Sequence, residues 1–364
     1  MGELSIQFSS HPTIEELPNR KKYHFATKEE SEDLSINPTD FRVGQYNIMA
    51  DMYTSPPNFP YAEPSTLYWT FRRHNFVKEI KTYQADVLCC QEVEEEVYGR
   101  WLEGVLREEG YEGMLKLNRR PEGCAIYWKR DRFKLVAVES QQFNVLATEQ
   151  WKEETSTTDL LYSSILNNIS GLSHHNTLAV VVLEDLKTSK QIIIATTHLY
   201  WGGGLTEDYY YQIQIMQFYL MLKYLEKVKA KYGGRLPVVI TGDFNSKGEN
   251  VIPLFQDAEI LGGHPMLTRN GAEDKTADRN LPNPLYNCSF QDVYSKRPQG
   301  KLKMTHVTEE LKIAIDYILY SEATLNVSSV IQPYPDEIYT RYGGLPSVLL
   351  PSDHISLFSD LSFK

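Results

Sequence analysis

Leu236-Pro-Val-Val-Ile-Thr-Gly-Asp-Phe-Asn-Ser246 is the stretch on which the reading of this chain turns. Its β-branched run, Val238 to Thr241, predicts a buried strand. Gly242 breaks the run, and Asp243 and Asn245 follow with one apolar residue between them. In extended backbone, residues i and i+2 point to the same side, so a carboxylate and an amide leave the strand end together. A hard cation or a nucleophile could meet them there. Taken alone, Gly-Asp-x-Asn reads as a turn, because Asp and Asn bond the local backbone well. The rest of the chain decides between the two.

The composition around this stretch is that of a globular protein, 41% hydrophobic and 23% charged over 364 residues. A net charge of −11 argues against non-specific binding of DNA or an anionic membrane by the whole surface. A phosphate-bearing substrate stays open, since a basic rim or bound metal ions can invert the local field. The four cysteines, Cys89, Cys90, Cys124 and Cys288, follow no ribbon or disulfide spacing and are expected to be reduced and partly buried. Cys89 and Cys90 would point to opposite faces of a strand and cannot share a zinc knuckle. The N-terminus lacks a basic start, and no 18-residue apolar run occurs. The expectation is no secretory signal, no membrane span, and a place in the cytosol, the nucleus or both. The sequons at Asn168, Asn287 and Asn326 then read as chance matches.

Residues 1–40 are polar and mixed in charge and predict a flexible or loosely packed arm; one large α/β domain is expected over 41–364. Phe41 to Met49 alternates as a strand, with Asn47 at its end. Ser65 is expected to cap a helix running to about Thr82. Ala85 to Val93 reads as a buried strand ending in a carboxylate, and a helix is expected over 94–109. Gly123–Trp128 and Phe133–Val138 are expected to pair antiparallel, and residues 144–176 to form an inserted loop with a short helix. Leu178–Leu183 and Ile192–Thr197 predict core strands, the second ending in His198. A long amphipathic helix is expected over Tyr209–Lys231, closed by lysines and Gly233-Gly234. Residues 261–300 read as loop-rich, and Ala314–Tyr320 as a strand carrying a buried Asp316.

A pattern recurs in these elements. Apolar runs end in Asn47, Glu92, His198, Asp243 with Asn245, Asp316, and Asp353 with His354. A lone histidine or aspartate of this kind is an ordinary satisfied residue. The whole set is hard to place in a core, because buried charges without partners are costly. Strands of one sandwich could bring these ends to a single pocket. Oxygen ligands dominate and no cysteine is among them, which favours Mg²⁺ or Mn²⁺ over zinc. Carboxylates, two histidines and such a cation suit hydrolysis of a phosphate ester.

These residues carry a resemblance. Tyr46-Asn-Ile, Gln91-Glu-Val-Glu, Glu122-Gly-Cys-Ala-Ile, Thr197-His-Leu-Tyr-Trp, Gly242-Asp-Phe-Asn-Ser, Ile315-Asp-Tyr-Ile and Pro351-Ser-Asp-His occur in the order seen in the endonuclease/exonuclease/phosphatase superfamily. The CCR4-type branch is most similar. Leu67–Arg72 with Lys78–Leu88 resembles its Angel subgroup, and Thr197–Trp201 also resembles the 2′,5′-phosphodiesterase subgroup. The likeness covers about residues 41–364. It implies a DNase I-like, four-layer α/β sandwich: two central, mainly antiparallel sheets flanked by helices. The leucine-rich repeats that precede the catalytic domain of CCR4 deadenylases have no counterpart in the sequence, so docking through them is not expected.

The resemblance also implies roles. Glu92 would bind the first Mg²⁺ with Asn47 beside it, and Asp243 and Asn245 would touch a second ion if two are bound. Asp353 would support the metal shell. Asp243 would orient or deprotonate the attacking water; the sequence leaves open whether it is the base itself. Asn245 and His198 would contact the phosphate, and His354, held by Asp316, would meet developing negative charge. An aromatic residue that stacks on adenine in the deadenylases aligns with Leu311, and the base-reading Asn aligns with His306. Tyr200, Trp201 or His306 could supply a substitute surface. The expected function is a Mg²⁺-dependent phosphodiesterase acting on RNA 3′ ends, a CCR4-type 3′→5′ exoribonuclease whose partner is a single-stranded RNA or oligonucleotide 3′ end. The alternatives are an Angel-like 2′,3′-cyclic phosphatase or phosphodiesterase, a 2′,5′-oligoadenylate phosphodiesterase, and an inactive RNA- or protein-binding descendant.

Overall fold

The structure, a computed structural model, describes residues 17–154, 176–202, 207–247 and 289–364. It contains two large β-sheets. In the first, eight strands run in the order Glu29–Ser31, Lys22–His24, Leu325–Ile331, Leu357–Phe363, Phe41–Asn47, Val87–Glu94, Glu122–Lys129, Tyr111–Leu117. In the second the order is Phe290–Asp292, Asp316–Ser321, Val238–Asp243, Gln191–His198, Thr177–Asp185, Phe133–Val138, with Gln141–Gln142 also pairing Thr177–Asp185. Each sheet has one parallel pair, Phe41–Asn47 with Val87–Glu94 and Gln191–His198 with Val238–Asp243. A parallel pair needs a crossover, and the helices Trp69–Tyr83 and Glu207–Lys231 lie in those two connections.

Strand alternation builds the layers. Ile192 and Ile194 pack with Val43, Val87 and Leu357 in the core shared by the two sheets. Ile193 points the other way, into a core with Met216, Leu220 and Leu225 of the long helix. On the first sheet, Leu88 and Cys90 pack outward against Phe76, Ile80 and Tyr83. The result is the four-layer α/β sandwich implied by the resemblance. Cys89 and Cys90 divide between two cores, and Cys89, Cys90 and Cys124 are all fully buried. Burial pushes the Cys89 thiol up to about 12, so these are inert core thiols. Cys288 and most of the stretch 261–300 lie outside the described residues, as does the expected insertion beyond Glu154.

Several local expectations are corrected. Residues 123–128 and 133–138 do not pair with each other: they sit in different sheets. Arg132, in the connection between them, is bound 3.0 Å from the buried Asp185 of the second sheet, which fixes the crossing. Glu122–Lys129 pairs instead with Val87–Glu94 on one side and with Tyr111–Leu117 on the other, a strand whose half-exposed residues hide its periodicity. The helix expected from Ser65 begins at Pro64, with Glu63 as its cap residue, and is interrupted at Tyr68. The helix expected over 94–109 starts at Glu95 and contains a π turn over Tyr98–Leu102.

Of the expected arm, residues 1–16 lie outside the described residues, and Arg20 to Ser31 belong to the fold. Lys22–His24 pairs with Leu325–Ile331 and so adds a strand to the first sheet, with Glu29–Ser31 outside it. Arg20, Lys22 and Tyr23 are buried. The charged composition misleads here because the charges are paired: Lys22 Nζ stands 2.5 Å and Arg42 Nε 2.6 Å from the buried Asp360. Removing one partner of a buried pair costs about 3–5 kcal/mol, out of a total stability of about 5–15 kcal/mol. A chain cut to begin at Phe41 is therefore expected to melt far below the full chain or to be recovered as aggregate. An unchanged melting temperature for that truncation would contradict the assignment of residues 20–31 to the fold.

Candidate active site

Strand register brings the first group of polar residues together. The parallel pairing sets His198 opposite Asp243, and the antiparallel pairing on the other side sets Asp243 opposite Asp316. Asp316 opens its strand rather than ending it, because that strand runs the other way. Gly242 permits the close approach: a Cβ there would lie 2.3 Å from the Thr197 carbonyl oxygen. From the first sheet, Asn47 lies opposite Gln91. The register of Val87–Glu94 then shifts between Cys90 and Val93, and Glu92 takes φ +57°. This is a β-bulge, a device that re-aims a side chain, held in a backbone conformation uncommon for Glu.

The side chains of both sheets meet. The Asn47 amide nitrogen donates to Glu92 Oε1 and to Asp243 Oδ2, each at 3.0 Å. His198 Nε2 and His354 Nε2 each stand 3.5 Å from the same Asp243 Oδ2. His198 Nδ1 is 4.0 Å from Glu92 Oε1. His354 Nδ1 donates to Asp316 Oδ2 at 2.8 Å. Asp316 also accepts from Thr305 Oγ1 at 2.6 Å and from Gln45 Nε2 at 3.1 Å.

Burial works against the His354 cation, but Asp316, Asp243 and Asp353 outweigh it and hold its pKa well above the usual histidine value. Burial likewise opposes a cationic His198, and Asp243, Glu92 and Glu122 raise it nonetheless. Burial pushes the Glu92 carboxyl up, and the charge of Asp353 adds to the rise. The site thus sets two cation-prone imidazoles against desolvated carboxylates.

The remaining candidates fall around this centre. Asn245, at φ +49°, bonds Asp243 Oδ1 through its backbone N–H and the Leu199 carbonyl through its side-chain nitrogen. Asp353 Oδ1 is 4.0 Å from His354 Nε2, and Asp353 Oδ2 is 3.2 Å from His306 Nε2. Burial would raise the Asp353 carboxyl, but His354 and His306 hold it down to about 2. His306 pairs across from His354 and meets its ring edge-on. Tyr200 is buried, whereas Trp201 is 72% exposed and presents an open ring next to the His198 strand end. Leu311, 48% exposed, lies in the turn between the short strands His306–Val307 and Lys312–Ile313.

Sequence reasoning missed the layer beneath. Gln45 and Gln91 bond each other, and Gln91 Nε2 reaches Thr196 Oγ1 at 2.8 Å, so buried amides cross-link the two sheets under Asp316. Thr305 Oγ1 bonds the Asp316 carboxylate and accepts from the Asp316 backbone N–H. The available signal was Gln45, two residues before Asn47 and hence on the same strand face.

The donor set fits a hard cation. By distance, His306, Asp353 and His354, or Asp243, Asp316 and His354, could hold a metal ion. Asp316 is a poorer ligand, because Oδ2 already accepts from both Thr305 and His354 and Oδ1 from Gln45, whereas each oxygen of Glu92 and Asp243 accepts a single hydrogen bond. Glu92 and Asp243 suit a cation better: two desolvated carboxylates are bridged by one amide donor. Asn47 turns its nitrogen to them and its oxygen to the Met49 N–H, so acting as a ligand requires its amide to rotate.

A fold of two helix-flanked sheets with this cluster at the strand ends belongs to a known class. Residues 44–354 match the model of the Endonuclease/Exonuclease/phosphatase family, and the chain belongs to that family, whose members hydrolyse phosphoester bonds. Among similar proteins, the CCR4-Not complex 3′-5′-exoribonuclease subunit Ccr4 of Yarrowia lipolytica is 29% identical over 358 residues, covering 89% of this chain and 48% of that protein. The 2′,5′-phosphodiesterase 12 of Homo sapiens is 30% identical over 352 residues, covering 94% of this chain and 54% of that protein. The crystal structure of ANGEL2, a 2′,3′-cyclic phosphatase, superposes with a TM-score of 0.72 at 25% identity, covering 95% of this chain and 98% of that one. These likenesses place the chain in the CCR4-type branch. The chain spans about half the length of the curated relatives it matches. No helix among the described residues is long and apolar enough to cross a membrane.

Proposed function

We propose that the chain is a Mg²⁺-dependent phosphodiesterase acting on the 3′ ends of single-stranded RNA, a 3′→5′ exoribonuclease of the CCR4 type. The observation that carries this reading is the convergence on Asp243 Oδ2: two imidazoles at 3.5 Å and an amide at 3.0 Å that ties it to Glu92. Bound by Glu92, with Asp243, Asn245, Asn47 and Asp353 around it, Mg²⁺ or Mn²⁺, as one ion or two, would screen the phosphate's charge and lower the barrier to attack by water. Asp243 orients the attacking water and is placed to take its proton. His198 and Asn245 hold non-bridging phosphate oxygens. His354, kept cationic by Asp316, meets the charge that builds in the transition state.

A second reading, a 2′,3′-cyclic phosphatase, is favoured by the ANGEL2 likeness and by Leu311, an exposed residue without a ring at the position expected to stack on adenine. A panel of 5′-labelled RNAs ending in a 3′-hydroxyl, a 2′,3′-cyclic phosphate or a 2′,5′-linkage separates the readings. Stepwise shortening of the 3′-hydroxyl RNA is expected. Opening of the cyclic phosphate without shortening would replace the first reading by the second.

Base preference follows from the same residues. His306 spends Nε2 on Asp353, so reading a base through that atom would cost this bond. Base–aromatic stacking contributes roughly 1–3 kcal/mol per base, and Leu311 cannot supply it. Poly(A) is expected to be removed within about tenfold of the rate for a mixed 3′ tail, on that stacking scale. Leu311→Phe should raise the preference for A. A wild-type preference for poly(A) beyond about a hundredfold would require an adenine reader elsewhere.

A further inference from the structure

We propose that Arg20 is a positioning residue for His354, acting through Ser356. The inference rests on the reading of His354 as the group that meets transition-state charge. Arg20 comes from the segment that the sequence marks as an arm, yet it is 2% exposed. Its guanidinium grips Ser356 twice, Nη1 to the hydroxyl at 2.9 Å and Nη2 to the carbonyl oxygen at 2.8 Å, while Nε bonds the Gln332 carbonyl at 2.7 Å. The Ser356 hydroxyl in turn donates to Glu79 Oε1 at 2.8 Å, and Glu79 is buried. A cation, a hydroxyl and a carboxylate thus form one buried, charge-compensated chain. The Arg20 plane also rests over the Tyr83 ring, 4.9 Å from its centroid.

This chain of contacts matters because of where Ser356 lies. The last strand begins only at Leu357, so the segment carrying His354 has little ladder to hold it. Individual bonds pin it instead. Ser352 Oγ donates to the Asn47 carbonyl at 2.6 Å, the Ile355 N–H to the Thr305 carbonyl at 2.7 Å, and Arg20 holds Ser356. The first pin ties His354 to the strand of Asn47, the second to Thr305, whose hydroxyl also bonds Asp316, and the third to the N-terminal segment. Loosening the third removes one of the bonds that place the backbone carrying the imidazole, leaving the Val307 N–H to Asp353 carbonyl bond at 2.9 Å and the pairing of Leu357 with Gln45 to hold it less tightly. A misplacement of about 1 Å can cost on the order of a hundredfold in rate. Lysine keeps the charge but loses the fork that grips two oxygens of one residue.

The test uses the full chain with Arg20→Lys and, separately, Ser356→Ala, which removes the hydroxyl but keeps the carbonyl contact. Two readouts are taken well below the melting temperature: kcat and KM on 5′-labelled RNA, and the low-field proton resonance of His354 Nδ1–H, assigned by its loss in His354→Gln. Arg20→Lys is expected to lower kcat by about 10- to 100-fold with KM within about twofold, and to shift or broaden the resonance. Ser356→Ala should move both in the same direction by less, and it serves as the test if Arg20→Lys does not fold. A lower melting temperature with kcat and the resonance unchanged would overturn the proposal and leave Arg20 a purely structural residue. If the wild-type chain turns over no RNA, the functional reading falls, and the resonance alone decides: a shift supports the positioning role and its constancy ends it.

Discussion

Asp316→Asn is expected to lower kcat by on the order of a thousandfold while leaving KM nearly unchanged. Asp316 is buried and aims Oδ2 at His354 Nδ1, 2.8 Å away, and its remaining bonds go to Gln45 and Thr305. Asparagine fills the same space but removes the charge that keeps His354 cationic. In the serine-protease triad the same Asp-to-Asn change costs about ten thousandfold in kcat with the geometry preserved. Substrate binding is served by other groups, so the loss falls on the transition state. The pH profile carries a second signature. His354 is active as a cation, so activity is lost as pH rises through its pKa. Asp316 raises that pKa, so the variant's alkaline limb should move to lower pH. A large rise in KM with kcat unchanged would assign Asp316 and His354 to substrate positioning alone.

Glu92→Gln is expected to lower activity by on the order of a hundredfold or more, because the charge that holds the cation carries the chemistry. The two oxygens of Glu92 each accept one bond, Oε1 from Asn47 and Oε2 from the Ala50 N–H at 2.8 Å. Glutamine satisfies only one of these donors, a cost of about 1–3 kcal/mol. The same change removes a partly buried charge whose carboxyl is already pushed up by desolvation, which offsets part of that cost. The fold should therefore survive, as the melting temperature will show, while the activity should rise only weakly with added Mg²⁺. Near-normal activity at limiting Mg²⁺ would remove Glu92 from the site.

The strand ends were legible because apolar runs broke at Asn47, His198 and Asp243, and period-two alternation assigns faces without a structure. Alternation also placed Cys89 and Cys90 on opposite sides of one strand, where they serve separate cores. What a pattern along the chain does not carry is the identity of the neighbour. Lys22 reads as solvated until Asp360, far along the chain, is set 2.5 Å away. Residues 123–128 and 133–138 look like a hairpin until Arg132 finds Asp185. The bulge that turns Glu92 toward the site has no sequence mark, because Glu is an unusual choice for a positive φ. The Gln45–Gln91–Thr196 layer was hidden for the same reason: each member is an ordinary polar residue, and only pairing across two sheets makes it a support for Asp316.

The central claim is that the residues around Asp243 form one phosphoester-hydrolysing centre. The most direct measurement follows 5′-labelled single-stranded RNA with the full chain in Mg²⁺, comparing wild type with Asp243→Asn at matched melting temperature. The wild-type chain should shorten the RNA from its 3′ end, chelation should stop it, and Asp243→Asn should reduce the rate by at least about a thousandfold, the scale on which removal of a central catalytic group acts. Undiminished shortening by Asp243→Asn would contradict the account, because the chemistry would then lie at some other place in the fold.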